Sequence, residues 1–544
     1  MRGVYLIDKF AHLVIVSYLC TLKYKVLMTD NQFKKYNLIV GWTVFAVALI
    51  TYGLTVEPTV SFWDCGEYIA TSAKLEVGHP PGAPLFQMMG AFIAAFAPNS
   101  DKIALFVNYM SVLSSAFTVL FLYFIIVNLT KKIALKRTDS VEEKTPATLT
   151  QGQFIAVLGS GVVGALAYTF SDSFWFNAVE AEVYAMAMLF MSAMFWLGIK
   201  WTDSLHEPRG DRWLLLISLV VGLSFGVHFM ALLTIPAIGM LYFFKSNYKK
   251  TVVNFIIANV VSIAILLLIF KLILPYTLAY FGYLEVFFVN SFGMPFNSGT
   301  IIAGLSVIAF FYFTLNYAYK QNKVRLQTGV LCLLFVFIGF SSWLMIPIRA
   351  NADTVINENS PTDARLLLAY YNLEQYPETH LFYGPMYSDK YAGLDEENPY
   401  EDAKPKYERD YALGKYIIVN QYKNAQMASN SKQEGVLPRM WSAQHAANYM
   451  KLTGLLTFRI KEEAYNEPKL YQFLQEVQRQ MQIQPLPPER YDQFLTEYRD
   501  YIEVEKPSFW KNMHYLFEYQ FGYMYFRYFA WNFIGRQDDV QGKM

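Results

Sequence analysis

The chain has 544 residues, of which 54% are hydrophobic, 17% aromatic and only 16% charged, with a net charge of +1. A soluble domain carries about 25% charged residues, so the deficit excludes a disordered chain, a coiled coil and a nucleic-acid-binding protein, which need low hydrophobicity, heptads or a basic excess. The three cysteines, Cys20, Cys65 and Cys332, lie far apart, which leaves neither a disulfide framework nor a zinc ribbon. A polytopic membrane protein remains, and a mean hydropathy of only +0.23 implies a large portion outside the bilayer.

Residues 1–36 read as a cytoplasmic N-terminal segment. Within it Val14–Leu22 is apolar and follows Arg2 and Lys9, but no small-residue cleavage site precedes Lys23. Residues 1–27 are therefore expected to be a dispensable upstream extension, with Met28 as a start. Spans of about 20 apolar residues are expected at Asn37–Val56, Ile103–Leu129, Gln153–Ser171, Val183–Ile199, Val252–Leu274, Ile301–Tyr319 and Gln327–Ile348. The run Trp213–Phe244 has Lys200, Arg209 and Arg212 before it and Lys245, Lys249 and Lys250 after it. Basic flanks lie inside, so this run is expected to be a hairpin of two short spans turning near His228. Ala83–Ala97 is too short to span and reads as an interfacial or re-entrant helix on the outer side.

The expected fold is thus an α-helical polytopic membrane protein of nine spans, N-terminus in and C-terminus out. Residues 37–348 form the membrane domain, with 57–102 as its first outer loop. From residue 349 to 544 the chain reads as a mostly helical exoplasmic region. Its stretch 351–544 holds 22 of the 40 tyrosines and no cysteine.

Candidate chemistry gathers at the outer edges of the spans. The stretch Glu57–Tyr68 places Asp64 and Glu67 at i and i+3, one face of a helix, and Gly78-His79-Pro80-Pro81-Gly82 follows as a turn that presents His79. Two such acids in a loop are often merely solvated, but a carboxylate in partly apolar surroundings makes a useful base. A second cluster holds Glu180, Glu182 and Tyr184; the two acids diverge by about 200° on a helix, so one can face a cavity while the other meets water. An interfacial belt of aromatic and acidic residues is the plainer reading of that cluster. His228 at the hairpin tip, Asn290 in an outer loop, Arg349 at the end of the last span and Arg439 between Leu437 and Trp441 complete the candidates for binding substrate or donor. A lone histidine is more often structural, an arginine at a rim can simply anchor a helix, and arginine among aromatics is more often packing than a sugar site. No phosphate-binding Gly-rich loop, His-Glu-x-x-His or Cys-x-x-Cys occurs, so neither ATP hydrolysis nor a zinc site is expected. The span centres carry no charges, unlike those of most ion-coupled transporters.

The stretches TVSFWDCGEYIATSAKLEVGHPPGAPLF, FWFNAVEAEVYAM, GLSFGVHFMALLTIPA, VNSFGMPFN and YMYFRYFAWNFIGRQDD resemble the bacterial protein O-mannosyltransferase-like membrane family, long described as a domain of unknown function and related to GT-C glycosyltransferases. The resemblance implies a GT-C-like bundle in the bacterial inner membrane with a periplasmic active site. It implies a polyprenyl-phosphate sugar as donor co-substrate and serine or threonine of an exported protein as acceptor. Asp64 then corresponds to the catalytic base, with Glu67 second, and Arg349 or His79 to groups that stabilise the departing phosphate. No cofactor or metal is expected, although Asp64, Glu67 and Glu180 could in principle bind a divalent ion. Members of that family continue beyond the last motif, so this chain is expected to be the front part of a longer enzyme. A lipid-linked saccharide transporter, a non-catalytic envelope assembly subunit and a transferase acting on glycolipid are the alternatives.

Overall fold

The computed structural model describes residues 27–136 and 149–534, so the expected dispensability of residues 1–27 falls, save for Leu27, outside the described residues. The chain forms two compact units. The first comprises residues up to Glu285 together with Thr300–Leu373, and the second comprises Val286–Gly299 and the residues from Glu374 onward. Residues 349–373, which the sequence places in the outer region, therefore fold with the membrane helices.

Among the described residues, seven helices are long and apolar enough to cross a membrane: Asp30–Leu54, Ser100–Leu135, Gln151–Thr169, Val183–Asp203, Val252–Phe292, Ser298–Lys320 and Val324–Ala350. In hydrocarbon each backbone N–H and C=O needs a partner within the segment, which a helix supplies. Their starts are written locally. Thr29 and Gln32 form a capping box ahead of Asp30–Leu54, and Thr150 and Gln153 repeat it ahead of Gln151–Thr169. The strands Leu27–Met28 and Leu149–Thr150 pair antiparallel beside these two starts.

The seven fall two short of the expected nine spans because the run Trp213–Phe244 is broken at residues 225–228. It yields helices Arg212–Ser224 and Thr234–Lys245, of 13 and 12 residues, joined through a 3-10 turn at Phe229–Leu233. The break falls where the basic flanks place it, but each arm is roughly 18–20 Å of helix, short of a hydrocarbon core of about 30 Å. The helix expected to end at Leu274 continues past it. A π turn at Leu268–Ile273 leads directly into Leu274–Phe292. Pro275 lacks the N–H that an α-helix would use, and a locally widened turn re-partners the freed carbonyls. This places Glu285, 2% exposed, inside a long apolar helix. Its carboxylate accepts from the Thr300 backbone N–H at 2.9 Å and hydroxyl at 3.0 Å, capping the next helix.

Helices Arg212–Ser224 and Val324–Phe340 meet at Gly222 and Gly339. A Cβ on Gly222 would strike the Val336 carbonyl, and one on Gly339 would strike the backbone of Leu219 and Leu223. Small residues at such a crossing let two membrane helices pack backbone to backbone. The core around this crossing includes Phe225, Phe340, Trp343, Tyr370 and Tyr371, and the Trp343 indole donates to the Phe225 carbonyl at 2.9 Å.

The second unit is not mostly helical. It contains helices Ala446–Thr453, Pro468–Ile483, Pro488–Glu497 and Phe509–His514, but also four antiparallel strand pairs, with Tyr383–Pro385 on Glu434–Val436 and Tyr407–Asp410 on Lys415–Ile418 among them. Its core is aromatic, built on Tyr387, Tyr391, Tyr449, Tyr491 and Phe458. The tyrosine abundance in the sequence fits both classes, since aromatics pack equally well on strands and helices.

Candidate active site

The two acidic clusters, more than a hundred residues apart in the chain, are brought together. Asn108, 1% exposed on the long Ile103–Lys136 helix, donates to the carbonyls of Glu57 and Thr59 at 2.8 and 2.9 Å. The Glu57 N–H donates to the Val179 carbonyl at 3.0 Å, and the Ser61 hydroxyl donates to Glu180 at 2.7 Å. The first outer loop is thus laced onto the turn that carries Glu180 and Glu182.

Asp64 stands at the N-cap of helix Cys65–Lys74, where its side chain makes no capping bond. Its carboxylate is 60% exposed and lies 3.9 Å from His79 Nε2. Glu67, on the same helical face, is engaged differently. It accepts from the His79 backbone N–H at 2.5 Å and from His79 Nδ1 at 3.0 Å. Burial raises the Glu67 carboxyl, but the His79 hydrogen bonds and charge outweigh it and hold it below the usual carboxylate range. The same bond to Glu67 raises His79 above its ordinary value against an opposing burial effect, with Asp64 and Glu358 adding charge. His79 thus lies between two carboxylates, both of which favour its protonated form.

The turn that presents His79 is strapped from several sides. Tyr370 donates to the carbonyls of Gly78 and His79 at 2.5 and 3.1 Å. Gly82 has φ +76°, and a Cβ there would strike the Tyr370 hydroxyl, so conformation and space both require glycine. Val77 bridges to Asn357. The N–H groups of Leu85 and Phe86, at the head of helix Pro84–Ala94, donate to the Gly226 carbonyl at 2.8 and 3.1 Å. Arg349 donates to the carbonyls of Leu75 and Lys74, closing the C-terminal end of helix Cys65–Lys74. It thereby clamps backbone beneath the site.

Glu182 is 7% exposed. It caps helix Val183–Asp203 through its own Val183 N–H at 3.3 Å, and the Cys65 thiol donates to it at 3.8 Å. Burial pushes the Glu182 carboxyl up to about 7, with Asp64 and Glu180 adding to the effect. Burial likewise raises Glu180, and pushes the Cys65 thiol up to about 12, so Cys65 is a neutral donor. Tyr68, packed between the His79 and Phe86 rings, is raised first by burial and then by the charges of Glu182, Asp64 and Glu67.

The remaining candidates divide. The Tyr184 ring lies 5.2 Å from that of His228, whose Nδ1 accepts from the Met230 N–H at 3.1 Å. Asn290 and Arg439 belong to the second unit. Asn290 exchanges two hydrogen bonds with the Tyr416 backbone, and Arg439 donates to the Leu381 carbonyl at 3.1 Å. Both hold backbone there. Among the described residues no group of three or more His, Cys, Asp or Glu side chains is arranged to hold a metal ion. The sequence reading missed Ser61, Tyr68 and Tyr370. Tyr68 carries a signal, four residues after Asp64 on one helical face, whereas Tyr370 carries none.

The near-neutral Glu182 gives a testable pH effect. Its folded value, about 7, lies above the ordinary 4.5, so the folded chain holds a proton that the unfolded chain has released between those values. Stability then falls as pH rises through that window, by something of the order of 3 kcal/mol. Glu182→Gln is expected to flatten this slope in thermal unfolding measured from about pH 4.5 to about pH 8. An unchanged slope would place the titration elsewhere.

Residues 64–252 match a family model described as the Protein O-mannosyl-transferase TMEM260 N-terminal domain. Residues 377–517 match a family of unknown function, DUF8416. A Dictyostelium discoideum Protein O-mannosyl-transferase tmem260 is 24% identical over 244 residues, which is 42% of this chain and 26% of that protein. A Mus musculus Protein O-mannosyl-transferase TMEM260 is 24% identical over 161 residues, 30% of this chain and 19% of that protein. The similarity therefore spans about a quarter or less of the length of these curated relatives. No solved structure matches the chain at a significant level. The family match begins at Asp64 and takes in Glu67, His79, Glu180, Glu182 and His228, whereas VNSFGMPFN and YMYFRYFAWNFIGRQDD lie outside it.

Proposed function

We propose that this chain is a GT-C-type membrane glycosyltransferase that moves a sugar, mannose in our reading, from a polyprenyl-phosphate donor to serine or threonine of exported proteins. The observation that carries the reading is the pairing of the two acidic clusters around an exposed Asp64 beside His79. The names of the matched relatives support the reaction class.

The steps follow from the groups present. Asp64 accepts the proton of the acceptor hydroxyl. The hydroxyl oxygen forms a bond to the anomeric carbon from the face opposite the donor phosphate. The bond from that carbon to the phosphate oxygen breaks, its electron pair leaves with polyprenyl phosphate, and the anomeric configuration inverts. A phosphate leaves readily, so no strong acid is needed, and His79 in its protonated form supplies positive charge where negative charge develops. Glu67 is not free for the base role, because His79 occupies both its oxygens. In this reading the site faces the periplasm of a bacterial inner membrane, where exported acceptors pass.

The test is glycan analysis of exported proteins, by intact mass and lectin binding, from cells lacking the gene. Loss of O-linked hexose, restored by the wild-type gene, is the expected result. Unaltered glycosylation in the deletion strain would overturn the reading.

A further inference from the structure

The transfer chemistry leaves the stretch YMYFRYFAWNFI unused. It ends a long helical run in the second unit. Helix Phe509–His514 continues without a break through π turns at Tyr515–Phe526 into Arg527–Trp531. Ser508 caps its start, accepting from the Lys511 N–H at 3.2 Å.

Aromatic residues repeat every four positions on two faces of this run. On one face Tyr515 is buried in the core of the second unit. Its ring stacks on Tyr519 at 5.2 Å, Tyr519 stacks on Tyr523 at 5.4 Å, and the Arg527 guanidinium lies 3.8 Å over Tyr523. On the other face Phe517, Phe521, Tyr525, Phe529 and Phe533 form a stripe, each between 44% and 62% exposed. Ring centres lie 5.6 Å apart for Phe517 and Phe521, 6.4 Å for Tyr525 and Phe529, and 5.7 Å for Phe529 and Phe533. A four-residue repeat drifts by about 40° per step around an α-helix. The wider π turns advance less per residue and keep the stripe on one side. It runs for about 24 Å.

An apolar stripe of this length is rare on a surface that meets water, and its shape and spacing select what covers it. A convex row of rings offers no concavity to a sugar or another small ligand. A helix of a second copy would interlock with apolar residues every 3.5 positions, not every four. Charges along the run are already engaged. His514 pairs with Glu518 at 2.7 Å, Lys511 donates to the Leu455 carbonyl at 3.0 Å, and Arg527 covers the tyrosine ladder. A charged partner therefore finds little to meet. Tyrosine and phenylalanine do suit the boundary between hydrocarbon and water, and seven helices of this chain are long and apolar enough to bring it to that boundary. One face tied to a folded core and the other open is the geometry of a helix lying in the interface, not of one that spans.

We propose that the stripe from Phe517 to Phe533 lies in the membrane interface and docks the second unit on lipid. The phenylalanine rings enter the acyl boundary, while the tyrosine ladder ties the opposite face to the core. This docking does not depend on the transfer reaction.

Photolabelling of the full wild-type chain, one copy per phosphatidylcholine nanodisc, tests this. A diazirine on the acyl chain close to the ester is expected to label residues 515–534. One at the far end of the chain should label them much less, since such helices sit only about 5–10 Å deep. Helix Val252–Phe292, whose apolar window is 6% buried, should take label from both probes and serves as the control. Phe521→Glu combined with Phe529→Glu, both at exposed positions, is expected to lose most of the label at an unchanged melting temperature. Phe521→Leu combined with Phe529→Leu should retain it. Substituting phosphatidylglycerol for part of the phosphatidylcholine should change nothing. An unlabelled 515–534 beside a labelled Val252–Phe292 would overturn the proposal, whether the stripe then meets water or a second copy. So would equal label from the two probes, the mark of a span, label that survives both glutamates, or label that requires phosphatidylglycerol.

Discussion

Asp64→Asn is expected to lower kcat for sugar transfer by roughly 10²–10⁴-fold with little change in melting temperature. The two halves of that expectation come from different observations. The carboxylate is 60% exposed, makes no capping bond to its helix, and approaches His79 no closer than 3.9 Å. Asparagine preserves shape and exposure, so the fold loses almost nothing. The reaction loses its proton acceptor, because Glu67 is held by His79 and Glu182 is 7% exposed. KM for the donor should move little, since the substituted atom faces the acceptor hydroxyl. The measurement is single-turnover transfer from a synthetic polyprenyl-phosphate sugar to a serine peptide, in parallel with thermal unfolding. An Asp64→Asn variant with wild-type kcat would remove Asp64 from the base role and leave the fold assignment intact.

The sequence made the candidate site legible in parts but not as a whole. Asp64 and Glu67 could be put on one helical face from spacing alone, and Asp64 stands at the N-cap of helix Cys65–Lys74, which carries Glu67. The proximity of Glu180 to Ser61 could not be read, because it depends on Asn108 holding the loop from a third element. The backbone bonds of Arg349 could not be read either, because an arginine at the end of a span looks the same whether it meets a phosphate or two backbone carbonyls. The seven long spans were legible from uncharged length, whereas the Pro275 helix was not. Proline ends most helices in water, but in a membrane the unpaired carbonyl has no water to turn to, and a widened turn becomes the cheaper solution. The strands of the second unit escaped because they are two to four residues long, too short to show an alternating pattern.

Substitution of His79 separates charge from positioning. His79→Ala removes the Nδ1 bond to Glu67 and the ring contact with Tyr68, while its backbone N–H still donates to Glu67. A half-buried carboxylate that loses one partner costs about 1–3 kcal/mol, and both stability and kcat should fall. His79→Gln keeps a donor toward Glu67 without a charge. It is expected to recover most of the stability but little of the rate, because the positive charge beside the departing phosphate is absent. The pH dependence follows from the two shifts. His79 is raised above 6.5, so its contribution is complete below that value and is lost as pH rises through the higher folded value. Glu67 is lowered below 4.5, so its contribution is complete above 4.5 and is lost only as pH falls through the lower folded value. Between these limits His79 and Glu67 add no slope to the one set by Glu182, and kcat should show a plateau with an alkaline limb set by His79. That limb should vanish from both His79 variants, which have no imidazole to deprotonate. A His79→Gln enzyme with wild-type kcat and an unchanged alkaline limb would show that the histidine only positions the loop, and that the charge opposing the leaving phosphate comes from another group.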